Sequence, residues 1–410
     1  MASNLHTVKL EKLAYGGDAL GRLADGRVVF VPFGLPDETA RLRIVEEKRG
    51  HVRAELVEVL EPSPDRIAPR CRHYGVCGGC HYQHLPYQTQ LTAKTGILFD
   101  QLKRLGRVDI STLSPVVPSP DEWNYRNHVQ FHLSPQGKLG YLAAHTRSVV
   151  AIRECHLPEP PLNKLWPSLD FDLQPGLDRV SLRLGMDGEI MLVLESRSAE
   201  LPQLDLEASL SVVHLSGGDA VVMAGDDHLV MQVNDRQFRV SADSFFQVNT
   251  TMAGKMAAYL VDNLPVSTTT TLLEVYCGVG LFSAFFAGRV ARLVGIESSL
   301  QACEDFTANL DEFDNVELYE ARAEDALPAL PFKPDLVILD PPRTGLQTPA
   351  LDSLLVLRPE RIAYVSCDPS TLARDAARLS TGGYGLRQVA LFDLFPQTYH
   401  IESISIFEQD

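Results

Sequence analysis

No apolar run reaches the 18 residues that a membrane-spanning helix needs, and no charged-then-apolar leader opens the chain. A soluble, unexported protein with no membrane partner is therefore expected. Internal repeats and low-complexity tracts are also missing, which leaves ordinary globular domains. Cysteine is scarce and odd in number, seven in 410 residues, and this excludes a disulfide scaffold. Reduced thiols, a metal site and a nucleophile remain, all of which suit the cytoplasm. Positive charge is short as well. The net charge of −16 speaks at first against a nucleic-acid partner. By segment the balance changes: residues 1–60 sum to 0, residues 61–160 to +3, and the rest to −19. The first 160 residues can still face phosphates.

At this length two or three domains are expected, and 45% apolar residues can fill their cores. The pattern predicts a multi-domain α/β chain. Over residues 1–61, β-prone runs such as Val28-Val29-Phe30-Val31 alternate with Gly16-Gly17, Asp25-Gly26 and Leu35-Pro36-Asp37 turns. That spacing predicts a small barrel of the oligonucleotide-binding kind, although any small β-barrel would satisfy it. Glu61-Pro62-Ser63-Pro64 reads as the linker. A central, mainly antiparallel β domain is predicted over 62–241, with a helix over 85–105. The segment 84–117 is expected to pack on the last domain, and residues 204–232 carry only weak strand signals. From 242 to 410 strand and helix alternate as in a doubly wound parallel sheet. A helix is predicted from Thr250 to Asn263. Strands are predicted at 271–276, 292–296, 335–339 and 362–366, with a final pair near 386–392 and 401–407.

The first strand of that sheet runs into Tyr276-Cys277-Gly278-Val279-Gly280. Gly278 and Gly280 let backbone approach a ligand at the carboxyl end of the strand. Glu297 ends the next strand, where an acid can hold ribose hydroxyls, and Asp340 ends the fourth. A dinucleotide site would show a third glycine, but Ser283 stands there. S-adenosylmethionine, which carries no phosphate, fits better than NAD, and the acidic domain suits a sulfonium cation. Asp340 also reads as a turn-former before two prolines, a role that coexists with orienting a ligand.

Ser366-Cys367-Asp368-Pro369 places a cysteine between a buried-looking strand and a helix start. The positive end of the helix should favour its thiolate, the nucleophilic form. A lone cysteine is more often a small core residue, but the methyltransferase-like order of elements reverses that preference. Cys71, Cys77 and Cys80, with Cys155 far downstream, offer four thiolates around a Gly78-Gly79 turn. Zinc usually shows paired knuckles or a Cys/His mix, and His73 and His81 are available. A three-plus-one set suits a cubane iron–sulfur cluster and leans the reading that way. Cys303 reads as core, and Cys277 as packing within the glycine loop.

Together these segments resemble the RNA uracil-carbon-5 methyltransferases, the 5-methyluridine enzymes of 23S ribosomal RNA and transfer RNA, over nearly the whole chain. The resemblance makes the barrel a TRAM domain, which favours ribosomal RNA with transfer RNA as the alternative. It implies that Cys71, Cys77, Cys80 and Cys155 hold a 4Fe-4S cluster. It implies that Gln247 of Phe245-Phe246-Gln247-Val248-Asn249, with Tyr276, Gly278, Gly280, Glu297 and Asp340, contacts S-adenosylmethionine. Cys367 matches the nucleophile, and Glu402 of Phe395-Pro396-Gln397-Thr398-Tyr399-His400-Ile401-Glu402 matches the general base. Leu281 replaces an asparagine that contacts the cofactor in some members, so no contact transfers there. A further contact is placed at Ala323 or Glu324. Arg126 is a substrate-side candidate against a surface arginine, and Phe245 a stacking candidate against a core phenylalanine. The chain is expected to act as a monomer. The rivals are an amino-group methyltransferase using the Asp340-Pro341-Pro342 turn, which usually has an aromatic where Arg343 stands, and a non-catalytic RNA-binding factor.

Overall fold

Alternating small apolar residues build the first unit. The computed structural model describes residues 5–108, 114–144, 146–171, 176–202 and 209–410, so the segments 84–117 and 204–232 lie partly outside the described residues. Strands β1 (Leu5–Leu13), β2 (Ala19–Arg22), β3 (Val28–Val31), β4 (Thr39–Glu47) and β5 (His51–Glu61) close into a barrel in the order β1-β2-β3-β5-β4. Every second residue points inward: Val8 and Leu10, Val29 and Val31, Ala40 and Leu42, Val52 and Ala54 are all buried. The linker is fixed by a carboxylate within the protein. Buried Glu38 accepts the Ser63 N–H at 3.4 Å and the guanidinium of nearby Arg66 at 2.9 Å.

Helix α1 (Tyr87–Gln101) continues as a π-type turn over Leu102–Gly106. Its Ile97 and Leu98, with Leu102, share one core with the barrel and with Ala373 and Ala376 of a helix introduced below. The central sheet contains β6 (His128–Leu133), β7 (Leu139–Leu142), β8 (Val149–Ala151), β9 (Leu177–Leu184), β10 (Ile190–Ser196), β11 (Ser211–Ser216) and β12 (Asp219–Ala224). Its order is β12-β11-β10-β9-β6-β7-β8, antiparallel except between β10 and β11. Strand β10 is apolar from Ile190 to Leu194, where both faces are covered. Leu192 and Leu194 pack with Phe131 and Trp166, beside the short α2 (Pro160–Leu165). Met191 and Val193 face the third unit through the hairpin β13 (His228–Val233) and β14 (Arg236–Ser241).

In the third unit α3 (Thr250–Asn263) is capped by Asn249, whose side chain accepts the Met252 N–H at 3.1 Å. The remaining elements alternate: β15 (Thr271–Val275), α4 (Ser283–Phe286), β16 (Arg292–Glu297), α5 (Leu300–Asn309), β17 (Val316–Glu320), α6 (Ala323–Ala326) and β18 (Leu336–Leu339). Then follow α7 (Thr348–Leu357), β19 (Arg361–Ser366), α8 (Pro369–Thr381), β20 (Tyr384–Phe392) and β21 (Glu402–Gln409). The sheet order is β17-β16-β15-β18-β19-β21-β20, parallel through β19. β21 runs antiparallel between β19 and β20. Strand β17 lies where the sequence pattern predicted none, because edge-strand Val316-Glu317-Leu318-Tyr319-Glu320 is only half-buried and shows no apolar run.

Candidate active site

The five parallel strands end along one edge, and the predicted ligand residues follow them there. After β15, Tyr276 takes a left-handed φ of 64°, which few side chains adopt, and Gly278 follows at 53°. A Cβ on Gly278 would meet nothing within 4 Å, so this backbone faces open space. Gly280 has a different reason to be glycine. A Cβ there would stand 2.8 Å from Leu310 Cδ1 and 3.0 Å from Phe306 Cδ2, so packing excludes one. Ser283, where a third glycine was absent, is buried and donates to buried Glu274. Burial raises the Glu274 carboxyl to about 8 against that hydrogen bond.

Glu297, at the end of β16, ties the loop to its neighbour. One carboxylate oxygen accepts the Gly278 N–H at 3.0 Å, and the other accepts those of Ser298 at 2.6 Å and Ser299 at 2.9 Å. The Ser298 hydroxyl adds a longer contact to that second oxygen at 3.5 Å, whereas the first accepts only Gly278 and keeps an acceptor position open toward a ligand. After β17, Ala323 opens α6 as a buried residue, while Glu324 pairs with Arg322 at 2.9 Å. After β18, the Asp340 N–H reaches the Val275 carbonyl at 3.2 Å and so joins the two central loops. Burial raises the Asp340 carboxyl to about 7. Leu281 is buried in the core and presents no polar contact. Cys277 is buried in the same core, and Cys303 is buried on α5.

Cys367 follows β19, and the antiparallel register of β21 brings Glu402 beside it. Ser366 pairs with Ser403, so one residue further along Cys367 stands opposite Glu402. The Glu402 charge acts on the Cys367 thiol, and Asp340 and Arg343 act on both groups. The free protein does not favour the thiolate, contrary to the expectation from the helix dipole. Burial, then Glu402 and Asp340, push the Cys367 thiol up to about 12, with Arg343 opposing. The dipole is answered by another residue: Asp368 caps α8, accepting the Ser370 N–H at 2.8 Å and the Thr371 N–H at 3.0 Å. Burial and the nearby Asp340 likewise raise Glu402 well above the ordinary carboxylate range, opposed by Arg343 and Lys94.

The loop leading to Glu402 is held from three sides. Gln90 of α1 exchanges two hydrogen bonds with Gln397, at 2.9 and 3.0 Å. The His81 and Tyr82 N–H groups reach the Gln397 carbonyl at 2.9 and 3.0 Å, and the Tyr125 hydroxyl donates to the Pro396 carbonyl at 3.0 Å. Lys94, fully buried, pairs with Asp393 at 2.6 Å and donates to the Phe395 carbonyl at 3.0 Å. Gln247 is buried, its carbonyl taken by the Asn127 side chain at 3.0 Å. The preceding loop is held by buried Asp305, which accepts from the hydroxyls of Ser241 and Ser244. Phe245 is 71% exposed, which removes the core alternative. Arg126 is not a surface arginine either: its guanidinium lies between the rings of Tyr125 and Phe395, with a buried Nε that has no partner.

Cys71, Cys77, Cys80 and Cys155 line one cavity of about 250 Å³ together with Arg126 and Tyr141. Burial pushes Cys77 up to about 11 and Cys80 to about 12. Among the described residues no three Cys, His, Asp or Glu side chains converge as the ligands of a single metal ion.

Sequence reading missed Lys94 and Tyr15. Lys94 had a signal, since it interrupts the apolar stripe of Leu91, Ile97 and Leu98 on α1. Tyr15 had none, because its partner Asp368 lies 353 residues away.

Comparison with known proteins identifies the family and the fold. The tRNA (Uracil-5-)-methyltransferase family matches residues 194–409, and the TRAM domain matches residues 6–57. An uncharacterized RNA methyltransferase of Aquifex aeolicus is 36% identical, with 97% of each chain covered. One from Thermosynechococcus vestitus is 32% identical, again over 97% of each chain. The crystal structure of Pyrococcus abyssi tRNA (uracil-54, C5)-methyltransferase with S-adenosyl-L-homocysteine shares the fold, at a TM-score of 0.74 and 24% identity, over 98% of this chain and 100% of that one. The chain belongs to the S-adenosylmethionine-dependent RNA uracil-5-methyltransferase family, and its N-terminal barrel is a TRAM domain.

Proposed function

We propose that this enzyme forms 5-methyluridine in 23S ribosomal RNA through a covalent adduct between Cys367 and carbon 6 of the target uracil. The observation that carries the reading is the β19–β21 register, which sets Cys367 opposite Glu402 at the edge where the glycine loop opens. The TRAM barrel favours ribosomal RNA. In this reading residues 1–61 dock RNA, residues 62–241 present the target, and residues 242–410 carry the chemistry.

S-adenosylmethionine, when bound, supplies an electrophilic methyl group. Gly278 offers it open backbone, Glu297 one free acceptor position for a ribose hydroxyl, and Asp340 a carboxylate for its cationic end. Tyr276 and Gln247 line the same approach. The Cys367 thiol loses its proton to solvent water, and the thiolate adds to carbon 6, which makes carbon 5 nucleophilic enough to take the methyl group. Glu402 then removes the carbon-5 proton, the 5,6 double bond returns, and the thiolate leaves. A raised pKa makes Glu402 a stronger base than an exposed carboxylate, and the Arg343 and Lys94 cations keep its ionised form within reach. Because the thiol resists ionisation in the free protein, addition belongs to the filled site. Exposed Phe245 stacks on the extruded base, and Arg126 supports the loop beneath it.

The four thiols fit a 4Fe-4S cluster better than a single ion. Each corner of a cubane takes its own thiolate, the four cysteines line one cavity, and Arg126, whose buried Nε has no hydrogen-bond partner, complements an anionic cluster. Cys80 adjoins His81 and Tyr82, whose N–H groups hold the Glu402 loop, so a cluster here orders that loop and carries no electrons for the reaction.

Trapping with RNA containing 5-fluorouridine tests the reading, because the fluorine cannot be removed by a base and the adduct persists. A 23S fragment should form a complex that survives denaturation and maps to Cys367. Trapping of transfer RNA alone would move the substrate there, and no adduct with either would overturn the covalent mechanism.

A further inference from the structure

We propose that Tyr15, in the N-terminal barrel, is a positioning residue that holds the turn carrying Cys367, and so couples the seating of the barrel to the nucleophile. The proposal rests on the reaction assigned above. Tyr15 sits in the tight turn between β1 and β2, where the Ala14 N–H meets the Asp18 carbonyl at 2.9 Å and the Gly17 N–H meets the Ala14 carbonyl at 3.2 Å. Its hydroxyl donates to one Asp368 carboxylate oxygen at 3.0 Å. The other oxygen of Asp368 caps α8, so the two oxygens have separate tasks. The Asp368 N–H returns to Ser366 Oγ at 3.2 Å, which closes the turn around Cys367. The ring of Tyr15 meets Tyr399 edge-on at 5.7 Å, three residues before Glu402. Tyr399 in turn packs on His81 at 4.5 Å and His400 at 4.4 Å. One barrel side chain thus touches the turns that carry both the nucleophile and the base. A barrel that only gripped RNA would need no polar contact at this depth.

The charge effect has a definite sign. Cys367 faces Glu402, Asp340 and Asp368, which hold its proton, and Arg343, which releases it. A hydroxyl donating to Asp368 draws off part of that carboxylate's charge. Tyr15→Phe keeps the ring and removes the donor, leaving more negative charge beside the sulfur and a less reactive thiol.

Two rates test this in the full-length protein: alkylation of Cys367 by iodoacetamide, followed by peptide mass, and adduct formation with saturating 5-fluorouridine RNA. Tyr15→Phe should slow both by about tenfold, the value of one hydrogen bond to a charged group, and move the alkylation midpoint to higher pH. The melting temperature should fall by no more than the loss of one hydrogen bond allows. The effect should vanish in an Asp368→Asn background. Wild-type rates for both reactions in Tyr15→Phe would overturn the proposal. So would faster alkylation with a lowered melting temperature, the mark of a mere structural prop. If the wild-type protein alkylates at Cys367 but traps no RNA, the reaction reading fails, while slower alkylation in Tyr15→Phe still upholds the hold of Tyr15 on the turn.

Discussion

Replacing Glu402 by glutamine should stop the enzyme after methyl transfer, with its RNA still attached. In the proposed mechanism, addition of Cys367 and transfer of the methyl group both precede removal of the carbon-5 proton, so neither needs the carboxylate. Glutamine fills the same volume at a position only 7% exposed and between paired strands, so the fold should persist. It also resembles the protonated acid that burial favours there, and the melting temperature should hold or rise. Removing a general base costs about 10²- to 10⁴-fold, or about 3 to 5.5 kcal/mol of transition-state stabilisation. Turnover should fall by that factor while a single round of methylation proceeds. With ordinary uridine and methyl-labelled cofactor, a denaturing gel should show a protein–RNA band that carries label. In Cys367→Ala the band should be absent, with RNA and cofactor still bound. Turnover of Glu402→Gln at the wild-type rate with no such band would refute the assignment of the base.

Glu297→Ala should weaken S-adenosylmethionine by about 1.5–3 kcal/mol through lost charge-assisted hydrogen bonds, read by calorimetry; unchanged affinity would take Glu297 out of the site. Protein purified without oxygen should be brown, with iron and sulfide near four each per chain, as a cubane requires; stoichiometric zinc without sulfide would refute the cluster. Cys80→Ser should lower that iron content and loosen the Glu402 loop, visible as faster amide exchange at His81 and Tyr82. Glu274 has a folded-state pKa of about 8, above its unfolded value, so its contribution to stability is complete at low pH and lost as pH rises through 8. The melting temperature should therefore fall between pH 5 and 8, and Glu274→Gln should flatten part of that slope.

The amino-acid order by itself determined the elements and most of the loops that carry the proposed ligand contacts. Alternation marked the barrel strands, apolar runs marked β15, β16, β18 and β19, and Pro369 marked a helix start that the fold uses. These are local preferences of backbone and side chain, so a short window of sequence contains them. Gly278, Glu297, Asp340 and Cys367 were legible for the same reason: in a parallel sheet every strand end falls on one edge. What no window contains is pairing at long range. The antiparallel insertion of β21 decided that Glu402 meets Cys367, and folding of the Cys-rich segment onto Arg126 brought Cys155 to the other three cysteines. Tertiary burial also reversed the expected state of Cys367. The helix end that should have favoured its thiolate is occupied by Asp368, and two carboxylates from distant strands hold the proton on sulfur. Tyr15 and Lys94 reach this centre from the barrel and from α1, because charge and hydrogen bonding act across space and not along the chain.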